Sequence, residues 1–126
     1  MMNDLLSDAI TRIRNGFMRG IKEVSILKSK VNNTVIDLLI AEGYLLSKEE
    51  GPTNIKVRLH YDKDNKPAMV YIKRISKTGK RIYASCNQYR RINNYSLLIL
   101  STNRGILTHV DAYKQSLGGE VLLEIF

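Results

Sequence analysis

Cysteine occurs once in the 126 residues, at Cys86, so no disulfide can close within the chain. No apolar run approaches the roughly 18 residues that a membrane-spanning helix needs. The start, Met1-Met2-Asn3-Asp4, lacks the basic flank and apolar core of an export signal. Together these absences predict a soluble protein of a reducing cytosol, with no membrane partner. Catalytic patterns are also scarce. His60 and His109 stand far apart, without cysteine or acidic neighbours at metal-ligand spacing. Nothing near Cys86 would activate a thiolate, and Ser101 lacks the glycine context of a nucleophile elbow. Neither a phosphate-binding Walker loop nor a dinucleotide-binding glycine pattern is present. The expectation is a protein without enzymatic activity, metal or cofactor.

The most informative absence is of negative charge. The chain carries a net charge of +8, and no acidic residue occurs between Asp64 and Asp111. Residues 1–62 hold nine Lys/Arg against eight Asp/Glu, whereas residues 63–126 hold eleven against four. The acid-free interval contains Lys66, Lys73, Arg74, Lys77, Lys80, Arg81, Arg90, Arg91 and Arg104, together with Tyr71, Tyr83, Tyr89 and Tyr95. A one-sided cationic block suits a polyanion, and interleaved rings suit stacking on bases or sugars.

An apolar fraction of 44% is ordinary for a folded domain. Leu6, Ala9, Ile10, Ile13 and Phe17 recur at helical spacing, which predicts a helix from an Asp4 cap to Gly16 or Gly20. Glu23–Leu27 reads as a strand. Ser29 can cap a second helix reaching Glu42, with Val31, Val35, Leu38 and Leu39 inward and Gly43 as its stop. Tyr44–Ser47 reads as a strand, residues 49–54 as a turn, and the alternation of Ile55, Val57, Leu59 and Tyr61 as a half-buried strand. The polar stretch Asp62–Pro67, where the charge balance shifts, marks the expected boundary between an N-terminal lobe, 1–62, and a basic lobe, 63–126. In the second lobe, strands are expected at Met69–Ile75 and Ile82–Ala84, flanking a basic turn at Ser76–Arg81. A short connection is expected over 90–94, then a doubly buried strand at Leu97–Leu100, a short helix near Val110 and Tyr113 stopped by Gly118-Gly119, and a terminal strand at Val121–Phe126. The fold class is therefore α+β: helix-strand-helix-strand-strand, then mostly antiparallel strands with a short helix.

Ser101-Thr102-Asn103-Arg104-Gly105 follows the buried strand and precedes Thr108-His109-Val110-Asp111, whose spacing resembles a helix capping box. A polar loop between a rigid strand and a helix start is expected there, rich in short donors and acceptors. Three uses suit it: a plain turn, a nucleic-acid contact, or a phosphate site at the following helix's N-terminus in a nucleotide-binding enzyme.

Four blocks decide among these by resemblance. They are Thr11-Arg12-Ile13-Arg14-Asn15, Lys73-Arg74-Ile75-Ser76-Lys77-Thr78-Gly79, Leu100-Ser101-Thr102-Asn103-Arg104-Gly105-Ile106-Leu107-Thr108 and Gly118-Gly119-Glu120. In order and spacing the chain resembles the bacterial small-subunit ribosomal protein S-eight family across nearly its whole length. That resemblance implies two associated α/β lobes and binding to the central domain of small-subunit ribosomal RNA early in assembly, beside neighbouring small-subunit proteins. It implies that Ser101, Thr102 and Asn103 enter the RNA loop and that Tyr83 lies against the RNA. It also implies that Glu120 helps hold the site, and that Arg12, Asn15 and Lys30 make lesser contacts. Some family members repress their own operon by binding messenger RNA, which keeps a free translational regulator as an alternative. Ser76, Lys77, Lys80, Arg81, Arg104 and Gly105 complete the expected RNA-binding set, the cations as phosphate contacts. Leu5, Thr78, Asn103, Tyr113 and Gln115 depart from the family pattern, and residues 86–95 match it poorly, so Arg90 and Arg91 receive no role.

Overall fold

The computed structural model describes residues 2–77, 79–85 and 96–126. Thr78, Cys86, Tyr89, Arg90, Arg91, Tyr95 and the connection expected over 90–94 lie outside the described residues. The chain divides into two compact units, Met1–Val70 and Tyr71–Phe126.

In the first unit, helix α1 (Met2–Arg19) buries the expected stripe of Leu6, Ala9, Ile10, Ile13 and Phe17. It starts at Met2, so Asp4 lies in the first turn and not at the cap. Gly20 ends it in the left-handed region, at φ 70°. Gly16 stays inside the helix for another reason. A Cβ there would lie 2.7 Å from Val24 Cγ1 and 2.9 Å from Leu59 Cδ1, so only glycine lets the helix approach the sheet this closely.

Strands β1 (Glu23–Leu27), β2 (Leu45–Glu50) and β3 (Asn54–Leu59) form an antiparallel sheet in the order β1-β3-β2. Helix α2 (Lys30–Ala41) begins at Ser29, whose hydroxyl accepts the Asn32 N–H at 3.0 Å. Its buried face is Asn32, Val35, Ile36 and Leu39, whereas Val31 and Leu38 are half-buried. The expected face is rotated because Asn32, which an apolar pattern does not count, turns inward. Its amide donates to Leu27 O at 2.9 Å and Leu5 O at 3.3 Å, tying α2 to α1 and β1. Glu49 and Glu50, expected in a turn, extend β2 and pair with Lys56 and Ile55. Beyond β3, the Asp62 carboxylate accepts the N–H groups of Asp64 and Lys66, closing a turn flanked by the Tyr61–Pro67 bridge.

The second unit is an antiparallel sheet built around its last strand. β4 (Ile72–Arg74), β6 (Leu97–Thr102), β7 (Gly105–Thr108) and β8 (Gly119–Ile125) follow the order β4-β8-β6-β7, and β5 (Tyr83–Ala84) also pairs with β8. β4 is much shorter than the expected Met69–Ile75. The terminal strand is central, with neighbours on both edges, and Phe126 is held by two backbone hydrogen bonds and a ring stack with Tyr71 at 4.6 Å. Leu97, Leu98, Ile99 and Leu100 are all buried, as an unbroken apolar run predicts. Helix α3 (His109–Lys114) is capped by Thr108, which accepts the Asp111 N–H at 3.3 Å. It ends before Gly118-Gly119, with Ser116 at φ 55°.

The stretch 101–105 is not a loop joining strand to helix. Ser101 and Thr102 belong to β6, Asn103 and Arg104 form a tight turn, and the chain returns as β7 before α3 begins. Ile106 and Leu107 are therefore strand residues, and the tip projects from the sheet as a hairpin.

Candidate nucleic-acid interface

Register on β8 decides what meets what. Glu120 lies opposite Tyr83 on one side and Ser101 on the other, and Ser101 lies opposite Ile106. Directly paired residues in an antiparallel sheet share a face, so Tyr83, Glu120 and Ser101 form one row across three strands. Tyr83 is 68% exposed at the end of that row, leaving its ring available for stacking.

Glu120 also organises the basic turn. The fully buried Ser76 donates its hydroxyl to Glu120 Oε2 at 2.6 Å and accepts the Ile82 N–H at 2.9 Å. Arg81 Nη1 donates to the same carboxylate oxygen at 2.9 Å. Lys77 and Lys80 exchange two backbone hydrogen bonds of 3.0 Å across a turn in which Gly79 takes φ 87°. Their ammonium groups are left on an exposed, narrow hairpin. The Glu120 carboxylate is thus consumed internally, while Lys77 and Lys80 remain solvent-facing.

The hairpin tip is held by Thr102. Its hydroxyl donates to Gly105 O at 2.8 Å and accepts the Arg104 N–H at 3.1 Å. Gly105 supplies the left-handed backbone, φ 106°. Thr102 is therefore a clip, with its only donor spent, and Asn103 and Arg104 are the exposed residues that the clip presents. Thr102→Val is expected to cost about 1 kcal/mol in urea unfolding and to loosen the tip, whereas Thr102→Ser keeps both bonds and most of the stability.

Gly118 and Gly119 are needed at this junction. A Cβ on Gly119 would lie 2.3 Å from Ser101 O, and one on Gly118 would lie 2.8 Å from Ala84 O. Their glycine identity lets β8 run close beneath both the Ser101 backbone and the end of β5.

Burial works to raise the Glu120 pKa, but the hydrogen bonds from Ser76 and Arg81 and the charges of Arg81 and Arg74 outweigh it, so the carboxyl titrates below its ordinary value. The Arg81 guanidinium is held more firmly protonated, chiefly by its hydrogen bond to Glu120. A glutamate with a lowered folded pKa binds fewer protons folded than unfolded. Its stabilisation is complete above the ordinary glutamate range and is lost as pH falls through the folded value. Unfolding midpoints measured from pH 6 downward should fall over roughly pH 4 and below, and Glu120→Gln should flatten that decline.

The remaining expected residues lie in the first unit and are described there alone. Arg12 and Asn15 line a groove of about 310 Å³ between α1 and β1, with Arg19 at the same groove, and Arg12 is tied to Asp8 at 2.9 Å. Lys30 is exposed at the first turn of α2. The feature that sequence reasoning missed is Arg74, which is buried in β4 although it was counted in the acid-free cationic interval. Burial lowers its pKa, the Glu120 charge opposes that, and Arg81 adds to it. The alternation of β4, with Ile72 and Arg74 inward and Lys73 outward, was the available signal.

Because β7 separates residues 101–104 from α3, the stretch does not sit at a helix N-terminus, and the phosphate site expected there from the following helix does not form. Among the described residues no group of three or more His, Cys, Asp or Glu side chains could hold a metal ion, and no helix is long and apolar enough to cross a membrane.

A mixed α+β chain, with a basic turn, an exposed ring and a clipped hairpin tip gathered on one sheet, defines a surface suited to a polyanion. The chain belongs to the family described as "Ribosomal protein S8", whose model matches residues 4–126. It is 39% identical to "Small ribosomal subunit protein uS8" of Campylobacter lari over the whole of both chains. It is 38% identical to the protein of that name from Campylobacter jejuni and 34% identical to that of Wolinella succinogenes, again over full length.

Proposed function

We propose that this protein is a structural component of the small ribosomal subunit that binds the central domain of small-subunit ribosomal RNA and helps it assemble, without catalysing a reaction. The observation that supports this most is the register on β8. It brings the basic turn, Tyr83 and the base of the Ser101–Gly105 hairpin to Glu120. RNA loops present unstacked bases and 2′-hydroxyls, and short Ser, Thr and Asn side chains let a backbone approach them closely. Ser101 and Asn103 make the reading contacts in this account, Thr102 sets the geometry of the tip, and Gly105 permits the turn. Lys77, Lys80 and Arg104 contact phosphates, and Ser76, Arg81 and Glu120 hold the surface in shape. The basic lobe, 63–126, carries this interface, and the N-terminal lobe, 1–62, adds Arg12, Asn15 and Lys30 as lesser contacts. Neighbouring small-subunit proteins are the other partners, and the place of action is the cytoplasmic ribosome or its equivalent in an organelle or a reduced-genome bacterium.

A free regulator acting on its own operon messenger RNA would use the same surface. Cosedimentation separates the two. A structural component runs quantitatively with small subunits through a moderate salt wash, whereas a protein found mainly free at the top of the gradient would refute the structural role.

A further inference from the structure

The first unit has a sheet face that none of its own helices covers. Ile26, Ile55, Val57 and Leu59 are buried, and the opposite side chains of the same strands face solvent. Cross-strand register places Glu23 beside Arg58 in one row and Lys56 beside Glu49 in the next. A hollow of about 480 Å³ opens among all four. Each is exposed, and among the described residues none of the four has an ion-pair partner within 4.0 Å. Two cations in the central strand are thus flanked by two acids on the outer strands, with no net charge. This contrasts with the nearby Lys28, Lys48 and Asp37, whose charges are satisfied within the unit.

We infer that this face docks a neighbouring protein of the particle. Its docking segment would place an acidic side chain between Lys56 and Arg58 and basic side chains against Glu23 and Glu49. Charge complementarity selects that occupant. A phosphate backbone drawn to Lys56 and Arg58 would be set beside two carboxylates, a repulsion absent at the Lys77–Lys80 turn. A reciprocal mixed-charge protein surface satisfies all four groups, and such juxtapositions discriminate strongly against wrong partners. The inference rests on the reading that the protein is part of a ribosomal particle.

Lysine acylation read by mass spectrometry tests it on the full-length protein, free, bound to small-subunit RNA, and in the particle completed with purified small-subunit proteins. Lys56 is expected to keep its reactivity on RNA alone and to lose most of it in the completed particle. Lys77 and Lys80 are expected to lose theirs at the RNA step. Lys56→Gln/Arg58→Gln is expected to leave RNA affinity within about twofold and to reduce retention in the washed particle several-fold. Protection of Lys56 by RNA alone would make the face an RNA contact, and full reactivity in the completed particle would make it a solvent face. Either result overturns the inference. Absence of protection at Lys77 and Lys80 would instead overturn the RNA-binding reading on which it rests.

Discussion

Gly119→Ala is expected to destabilise the second unit by about 3 kcal/mol and to abolish most RNA affinity together with it. The added Cβ meets Ser101 O at 2.3 Å and the Ser101 carbonyl carbon at 3.0 Å, and neither is the free end of a flexible side chain. Relief requires β8 and β6 to part at the point where they hold the hairpin tip. β8 is the central strand, so it cannot drift outward without straining β4 and β5 on its other edge. Urea unfolding gives the stability change. Gly105→Ala is the comparison, since it strains one exposed turn through its positive φ but meets no atom within 4 Å, and it should cost roughly 1 kcal/mol. If the Gly119 variant were as stable as the wild type, the close approach of β8 to Ser101 would not exist in solution.

Lys77→Ala/Lys80→Ala is expected to have the largest effect on binding without a matching effect on folding. Both side chains are exposed, and their turn is closed by backbone hydrogen bonds that alanine retains. Each phosphate contact removed should lower the slope of log affinity against log salt by roughly 0.7 to 0.9, so the pair lowers it by roughly 1.5. The loss should be similar for cognate and non-cognate RNA, because phosphate contacts carry no sequence information. Arg81→Ala belongs to a different class. It removes a cation and also strips the Glu120 carboxylate of its ion-pair partner beside the proposed RNA-binding surface, so affinity should fall while the unit also loses stability at neutral pH. Titrations at two salt concentrations distinguish the two patterns.

Much of this architecture was legible because apolar spacing reports burial directly. The stripe on α1, the alternation on β3 and the unbroken run at Leu97–Leu100 each gave the face that the structure buries. Where a polar group turns inward, that logic fails, as at Asn32, whose two amide hydrogen bonds rotate the α2 face. It fails again at Arg74, a cation of the acid-free interval that is buried. The hairpin at 101–105 was misread as a strand-to-helix loop because four strand residues, Gly105–Thr108, are too few to show a period before the Thr108 cap. The resemblance named Ser101, Thr102, Glu120 and Tyr83. Only the pairing register shows that Glu120 stands between Tyr83 and Ser101, and only the hydrogen bonds show that Thr102 is a clip. Such relations depend on strands far apart in sequence, which local pattern cannot reach.

In the proposed function the β6–β7 tip reads RNA while the basic turn supplies unspecific attraction. The direct test is a titration of wild type, Ser101→Ala and Thr102→Ser against the central-domain fragment of small-subunit RNA and a scrambled RNA, at low and physiological salt. Wild type is expected to prefer the central-domain fragment at both salts. Ser101→Ala should lose chiefly that preference, and Thr102→Ser, which preserves the clip, should keep it. Equal binding of both RNAs by all three proteins would rule out reading by the tip and leave it as only a turn on a basic domain.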